Sequence, residues 1–180
     1  MKNIRYTTSS SDIELEQILL LQQSNLSESI TLDEKQNEGF VTVRHDFDIL
    51  KKMNLQQPHI IAKHNDQVVG YALCMTKDFG NDIEVLKPMF TKIDTLIEPR
   101  INYIVMGQVC VDKAYRRQGI FRGLYQKMKS SLQEKYSLLI TEVASNNHRS
   151  LEAHRAIGFK DLIVYQADTM QWHIISWDWT

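Results

Sequence analysis

Apolar positions along this chain follow two rhythms, and the change from one to the other marks out the elements. Between His59 and Met75 they run almost without a break except at Asn65-Asp66, which predicts a hairpin of two strands, His59–His64 and Gln67–Met75. Ile101–Val111 is dense in β-forming residues and predicts a central strand. From Gly119 to Tyr136 the period becomes helical: Ile120, Phe121, Leu124, Tyr125, Met128 and Leu132 form one stripe, opposite Arg122, Lys129 and Gln133. Leu138–Val143 reads as a buried strand, Asn147–Ile157 as a helix, and Phe159–Gln166 with Gln171–Trp177 as a closing strand pair.

The N-terminal third is less regular. Ile4–Thr7 predicts a first strand. Ser11-Asp12-Ile13-Glu14 has the form of a capping box, followed by Leu15, Ile18 and Leu19 at helical spacing, so a helix is expected to about Gln23. Residues 24–39 are polar and carry no strong period; Leu26, Ile30 and Leu32 are the anchors available to a second short helix. Phe40–Arg44 alternates like a strand and Phe47–Met53 like a helical turn or two. Thr76–Arg100 is a long connection that contains Pro88, Pro99 and a helix. The succession strand, helix, strand, helix, strand in the second half implies a right-handed crossover. The expected fold is α/β, with a mixed, mostly antiparallel sheet that holds a parallel central pair. No repeat, linker or low-complexity tract interrupts it, so residues 1–180 are expected to form a single domain.

Composition narrows the function classes. The 180 residues are 43% hydrophobic and 24% charged, an ordinary globular mixture. The formal charge of −1 supplies no net positive field, so neither nucleic acid nor a membrane is an expected partner. The apolar runs Ile18–Leu21 and Ile104–Met106 fall far short of the roughly 20 residues of a spanning helix, and no apolar leader core opens the chain; the cytoplasm is the expected location. Cys74 and Cys110 lie in strand-like stretches and are expected to be buried, reduced thiols. His45-Asp46 has no third ligand at a recognisable spacing, so no metal is expected. Trp172 and Trp177 alternate with Ile174 and Ile175 as in a packed strand, which leaves an aromatic recognition surface as the lesser reading for these and Trp179.

Two segments carry candidate chemistry. Arg116-Arg117-Gln118-Gly119-Ile120-Phe121 joins a strand to a helix. The first amides of a helix have no intrahelical partner and sit at the positive end of its dipole, so such a turn binds phosphate where a glycine lets the backbone come close. Lys113 and the arginines crowd the same turn; taken alone it is equally a solvated basic turn. The second segment runs from Glu142 through Asn147 and Ser150 to His154, Gly158 and Phe159. Asn147, Ser150 or Leu151, and His154 share a helix face, and Glu142 ends the preceding strand, so a carboxylate and an imidazole could meet as an acid–base pair. Singly, His154 also reads as a buried histidine and Glu142 as a strand-end charge.

Together, the Arg-x-x-Gly turn and the Asn-x-x-Ser-x-x-x-His-x-x-x-Gly-Phe segment that follows resemble the GNAT N-acetyltransferase superfamily, most specifically over residues 101–165. The resemblance implies that family's acyltransferase fold, with helices flanking the sheet, and acetyl-CoA as cosubstrate. It implies that the amides of Arg117, Gln118, Gly119, Ile120, Phe121 and Arg122, beside Arg116, cradle the CoA pyrophosphate. The main chain of Val109, Cys110 and Val111 would pair with pantetheine and polarise the thioester, and Asn147, with Ser150 on the same helix face, would lie by the pantetheine arm. The family's tyrosine acid falls on His154. The base glutamate of members that acetylate protein N-termini falls on Glu142, twelve residues earlier.

Three departures follow, one being that the central strand carries Val105, Gly107 and Gln108 where some members keep a base, which leaves Glu142 as the base. Phe121 replaces a small residue of the loop, and His154 lowers the unperturbed pKa of the acid from about 10 to about 6.5. The resemblance implies as partner an amine acceptor, a small molecule or a peptide N-terminus, in a pocket built by residues 8–55 and 76–100. Met89 and Phe90 form either a wall of that pocket or plain helix packing. A monomer or a homodimer is expected. The alternatives are a non-catalytic CoA-sensing module and a protein-binding module built on the tryptophans.

Overall fold

The computed structural model of the chain describes residues 3–38, 40–167 and 169–180. Its sheet has seven strands in the order β1 (Ile4–Thr8), β2 (Ile60–His64), β3 (Gln67–Met75), β4 (Tyr103–Val111), β5 (Leu138–Ala144), β7 (Met170–Asp178) and β6 (Lys160–Ala167). Every neighbouring pair is antiparallel except β4 and β5. That parallel pair is joined by the helix α5 (Ile120–Leu132), as the crossover pattern requires. The remaining helices are α1 (Asp12–Gln23), α2 (Leu32–Glu38), α3 (Phe47–Gln56), α4 (Lys87–Leu96) and α6 (His148–Arg155).

Two cores cover the two faces of the sheet. One gathers α1, α3 and α4 through Leu15, Ile18, Leu50, Met53, Phe90 and Ile93. The other is built on the α5 stripe: Ile120, Leu124, Tyr125, Met128 and Leu132 are all buried, each contributing about 1.5–3 kcal/mol. Phe121, the sixth member of that stripe, is only partly buried. Met89 and Phe90 belong to the first core, so helix packing is their role. Both cysteines are free and buried.

The N-terminal third departs most from expectation. Ser11 caps α1 through the Glu14 amide, but the Glu14 carboxylate reaches past it to the Ser10 amide at 2.7 Å and to Lys63 on β2 at 2.8 Å. That buried ion pair ties α1 to the sheet; burial would raise the Glu14 pKa, yet Lys63 and Ser10 hold it below the ordinary value. Phe40–Arg44 is not a strand. Val41 forms a single bridge with Leu26, exchanging backbone bonds with Asn25 and Ser27, and the Val43 carbonyl goes to the Gln108 side chain at 2.7 Å. Alternation there reflects one wall pressed on β4, with no neighbouring strand to pair with. Leu32 is 77% exposed and anchors nothing; Leu26 does the anchoring. Among the described residues no helix is long and apolar enough to cross a membrane, and no group of three or more His, Cys, Asp or Glu could hold a metal.

Candidate active site

The site begins with a failure of strand pairing. β4 and β5 are in register only over Tyr103–Val105 and Leu138–Ile140. On its other edge β4 places two residues, Gly107 and Gln108, against one of β3, Leu73, between the pairs Ala72–Val109 and Cys74–Met106, a bulge that bends the strand. From Met106 onward β4 and β5 diverge. The Met106 carbonyl takes the Thr141 hydroxyl at 2.8 Å, and beyond it backbone groups of β4 face a gap.

A groove of about 330 Å³ opens from that gap on the α5–α6 side. Val109, Cys110 and Val111 form its floor, and Arg116, Arg117 and Gly119 with the first turn of α5 form one wall. Asn147 and Ser150 of α6 form the other. The Gln118 side chain lies outside it and donates to the Ala114 carbonyl. Gly119 caps α5 in the left-handed conformation, φ +80°, and a Cβ built there meets nothing within 4 Å. The turn therefore presents bare backbone to open space at the positive end of a 13-residue helix, which fits a pyrophosphate. Phe121 is accommodated because its ring packs at 5.0 Å from Tyr125 and edge-on at 5.1 Å from His154.

The arginines are less free than the turn suggested. Arg116 donates to the Val111 carbonyl, to Asn25 Oδ1 at 2.6 Å and to Glu38 at 3.1 Å, and Arg117 reaches Glu38 at 3.1 Å. Lys113 pairs with Glu34. Helix α2 thus lays two carboxylates against the basic turn. Asn25, Glu38, Phe40 and Val41 all line the groove, and none was identified from the sequence.

On the far side of the gap a narrower channel of about 70 Å³ is lined by Val43, Gly107, Gln108, Glu142 and Trp172. Groove and channel share Phe40, Val41, Val109, Asn147 and Ser150, so they meet between the splayed strands. Asn147 is the hinge of that meeting: it caps α6 through the Ser150 amide and donates to the Phe40 carbonyl at 3.1 Å. Glu142 is half-buried, and its carboxylate accepts the Tyr165 hydroxyl at 2.5 Å. Burial pushes its pKa up to about 7, against the Tyr165 bond, which lowers it. Such a carboxylate exchanges a proton near neutrality.

His154 also lines the channel, but it is 1% exposed and both ring nitrogens are engaged. Nδ1 lies 2.7 Å from the Ser150 carbonyl, which can only accept, so Nδ1 carries the hydrogen. Nε2 then accepts from the Tyr125 hydroxyl at 2.5 Å. Burial lowers the imidazole pKa to about 4, against the Ser150 bond, which raises it. The proton asked of His154 as an acid is committed to a carbonyl, and the ring serves as a clamp between α6 and α5. Cys110 lies on the groove floor, but burial pushes its thiol up to about 12, which disfavours the nucleophilic thiolate.

Residues 22–159 match the model of the acetyltransferase (GNAT) family. No curated protein matches in sequence. Among solved structures, the ribosomal-protein-S18-alanine N-acetyltransferase from Escherichia coli is 12% identical and superposes with a TM-score of 0.65, covering 98% of this chain and 94% of its own. An N-acetyltransferase from Staphylococcus aureus is 17% identical, TM-score 0.63, with 99% of both chains covered. An Arabidopsis thaliana structure in complex with the bisubstrate analogue CoA-Ac-MVNAL is 15% identical, TM-score 0.66, covering 97% of this chain and 98% of that one. At these identities the likeness is one of fold.

Proposed function

This chain belongs to the acetyltransferase (GNAT) family, and from that premise we propose that it moves an acetyl group from acetyl-CoA to a primary amine by direct attack, with Glu142 as base. The observation that carries this reading is the meeting of the phosphate-fitting groove and the Glu142 channel at one gap in the sheet. The amides of Arg117 to Arg122 and the backbone of Val109–Val111 on the edge that β5 leaves unpaired would hold acetyl-CoA, which supplies the activated acyl group, while Asn147 and Ser150 border the pantetheine arm.

The acceptor enters by the channel as an ammonium ion and gives a proton to the Glu142 carboxylate, directly or through water. The neutral nitrogen forms the new C–N bond, main-chain groups near Cys110-Val111 stabilise the oxyanion, and as the C–S bond breaks the nitrogen gives up its second proton to solvent. A thiol of pKa near 8.5 leaves adequately as thiolate and takes its proton from solvent, so no protein acid is assigned. The acceptor is a small molecule or a peptide N-terminus, and the reaction is expected in the cytoplasm. An acetyl-CoA consumption assay against small amines, amino acids and peptides tests this; binding of CoA with no turnover on any class would leave a CoA-sensing module instead.

A further inference from the structure

Tyr165 lies on β6, two strands from Glu142, and would face the opposite side of the sheet but for one irregularity. Lys160 and Asp161 pair with Ser176 and Ile175, whereas Ile163 pairs with Ile174 and Tyr165 with Trp172. The extra residue, Leu162, shifts the register by one. In the unshifted register Tyr165 would oppose Gln171, and its side chain would fall on the other face, because side chains alternate with period two. With the bulge, Tyr165, Trp172 and Ile174 share a face, and Ile174 is the partner of Glu142 across β7. The result is the 2.5 Å bond from the Tyr165 hydroxyl to Glu142 Oε1. The ring is steadied from outside by Lys92 of α4, whose ammonium lies 6.0 Å from its centroid.

We propose that Tyr165 is a positioning residue for acetyl transfer: delivered by the bulge at Leu162, its hydroxyl fixes the Glu142 carboxylate toward the acceptor channel and favours its ionised, proton-accepting form. This rests on the reading of Glu142 as the base. The groups around that carboxylate leave Tyr165 as the tuning contact. His154 of α6, on the same channel, is held neutral; Gln108 of β4 is an uncharged amide bonded to Val43 and Tyr71. His173 of β7 pairs with Val143, on the other face from Glu142, and is bound to Asp161 at 2.7 Å. Lys92 stands beyond the tyrosine ring.

The test is Tyr165→Phe, which keeps the ring and its packing while removing the hydroxyl. Two readouts are followed: the Glu142 titration by carbon-13 NMR, assigned with Glu142→Gln, and the pH profile of kcat/KM with the most active amine of the panel. Loss of a bond that favours the carboxylate is expected to raise the titration midpoint by about one unit, a tenfold change in the ionisation constant. The acid limb of the profile moves with it, so activity falls about tenfold below pH 7 and returns toward wild type by pH 9. A merely structural role would scale the profile without moving its midpoint. If Glu142→Gln alters the profile but Tyr165→Phe leaves both midpoints in place, the proposal is overturned and the base stands. A wild-type profile in Glu142→Gln overturns the base and the proposal together.

Discussion

At Glu142 two effects oppose each other: burial favours the neutral acid and the Tyr165 bond favours the anion, leaving a midpoint at about 7. Activity is therefore expected to rise through pH 7 as the carboxylate forms. Glu142→Gln should lower the rate near neutral pH by roughly 10²-fold, with a deficit that shrinks at high pH where the amine arrives unprotonated; a wild-type rate at every pH would return Glu142 to a strand-end charge. Gly119 presents a different balance. Its φ of +80° disfavours a β-branched residue, while the space around it tolerates one. Gly119→Val is expected to fold, at a cost of about 1–2 kcal/mol, and to bind CoA at least tenfold more weakly by calorimetry. Unchanged affinity would remove the cofactor assignment. For His154→Phe the expectation is structural: the Tyr125 hydroxyl, fully buried, loses its acceptor, which costs about 1–3 kcal/mol by denaturant titration. A selective loss of turnover at unchanged stability would restore His154 as the acid.

Between elements, the relation of α2 to the phosphate turn governs cofactor access. Arg116 is 18% exposed and braced by three partners, so it fixes the turn. Arg117, 78% exposed, is paired with the shared Glu38 and is the cation better placed to turn toward a phosphate. Glu38 competes for it and adds a negative charge beside the groove. Glu38→Gln is expected to tighten CoA binding several-fold at low salt, with the gain fading as salt screens the exposed pair. Weaker binding in this variant would mean that the carboxylate supports the turn more than it opposes the ligand.

Over the whole molecule, three buried imidazoles set the response to acid. Burial holds His45, His59 and His154 at about 4 against an ordinary 6.5, so each stabilises the fold above pH 6.5 and loses that contribution as pH falls toward 4. Glu142 works the other way: its raised pKa stabilises the fold below about 4.5, a contribution lost as pH rises through about 7. Between pH 6.5 and 4.5 unfolding thus takes up three protons at the histidines and releases one at Glu142, for a net uptake of about two. The unfolding constant is expected to rise close to a hundredfold per unit of acidification, measured by chemical denaturation across that window. A flat response would show that these histidines are not neutral in the fold.

What the chain determined by itself was local. Periodicity placed the hairpin, the central strand and the helix from Gly119, because each buries a face set by its own repeat. The turn at Arg116–Phe121 was legible for the same reason, because a glycine before a helix acts through its immediate backbone, whereas the base role proposed for Glu142 came from the family resemblance and not from its own surroundings. Tertiary structure decided whatever depends on partners far along the chain. The groove wall of Asn25, Phe40 and Val41 meets its site through Arg116 and Asn147, bonds that span 91 and 107 residues. The fate of His154 was set by Tyr125, 29 residues away, and the orientation of Glu142 by a one-residue bulge that no side-chain pattern announces. Ionisation and role follow from burial and hydrogen-bond partners, and those exist only once the strands have splayed and the helices have closed over the gap.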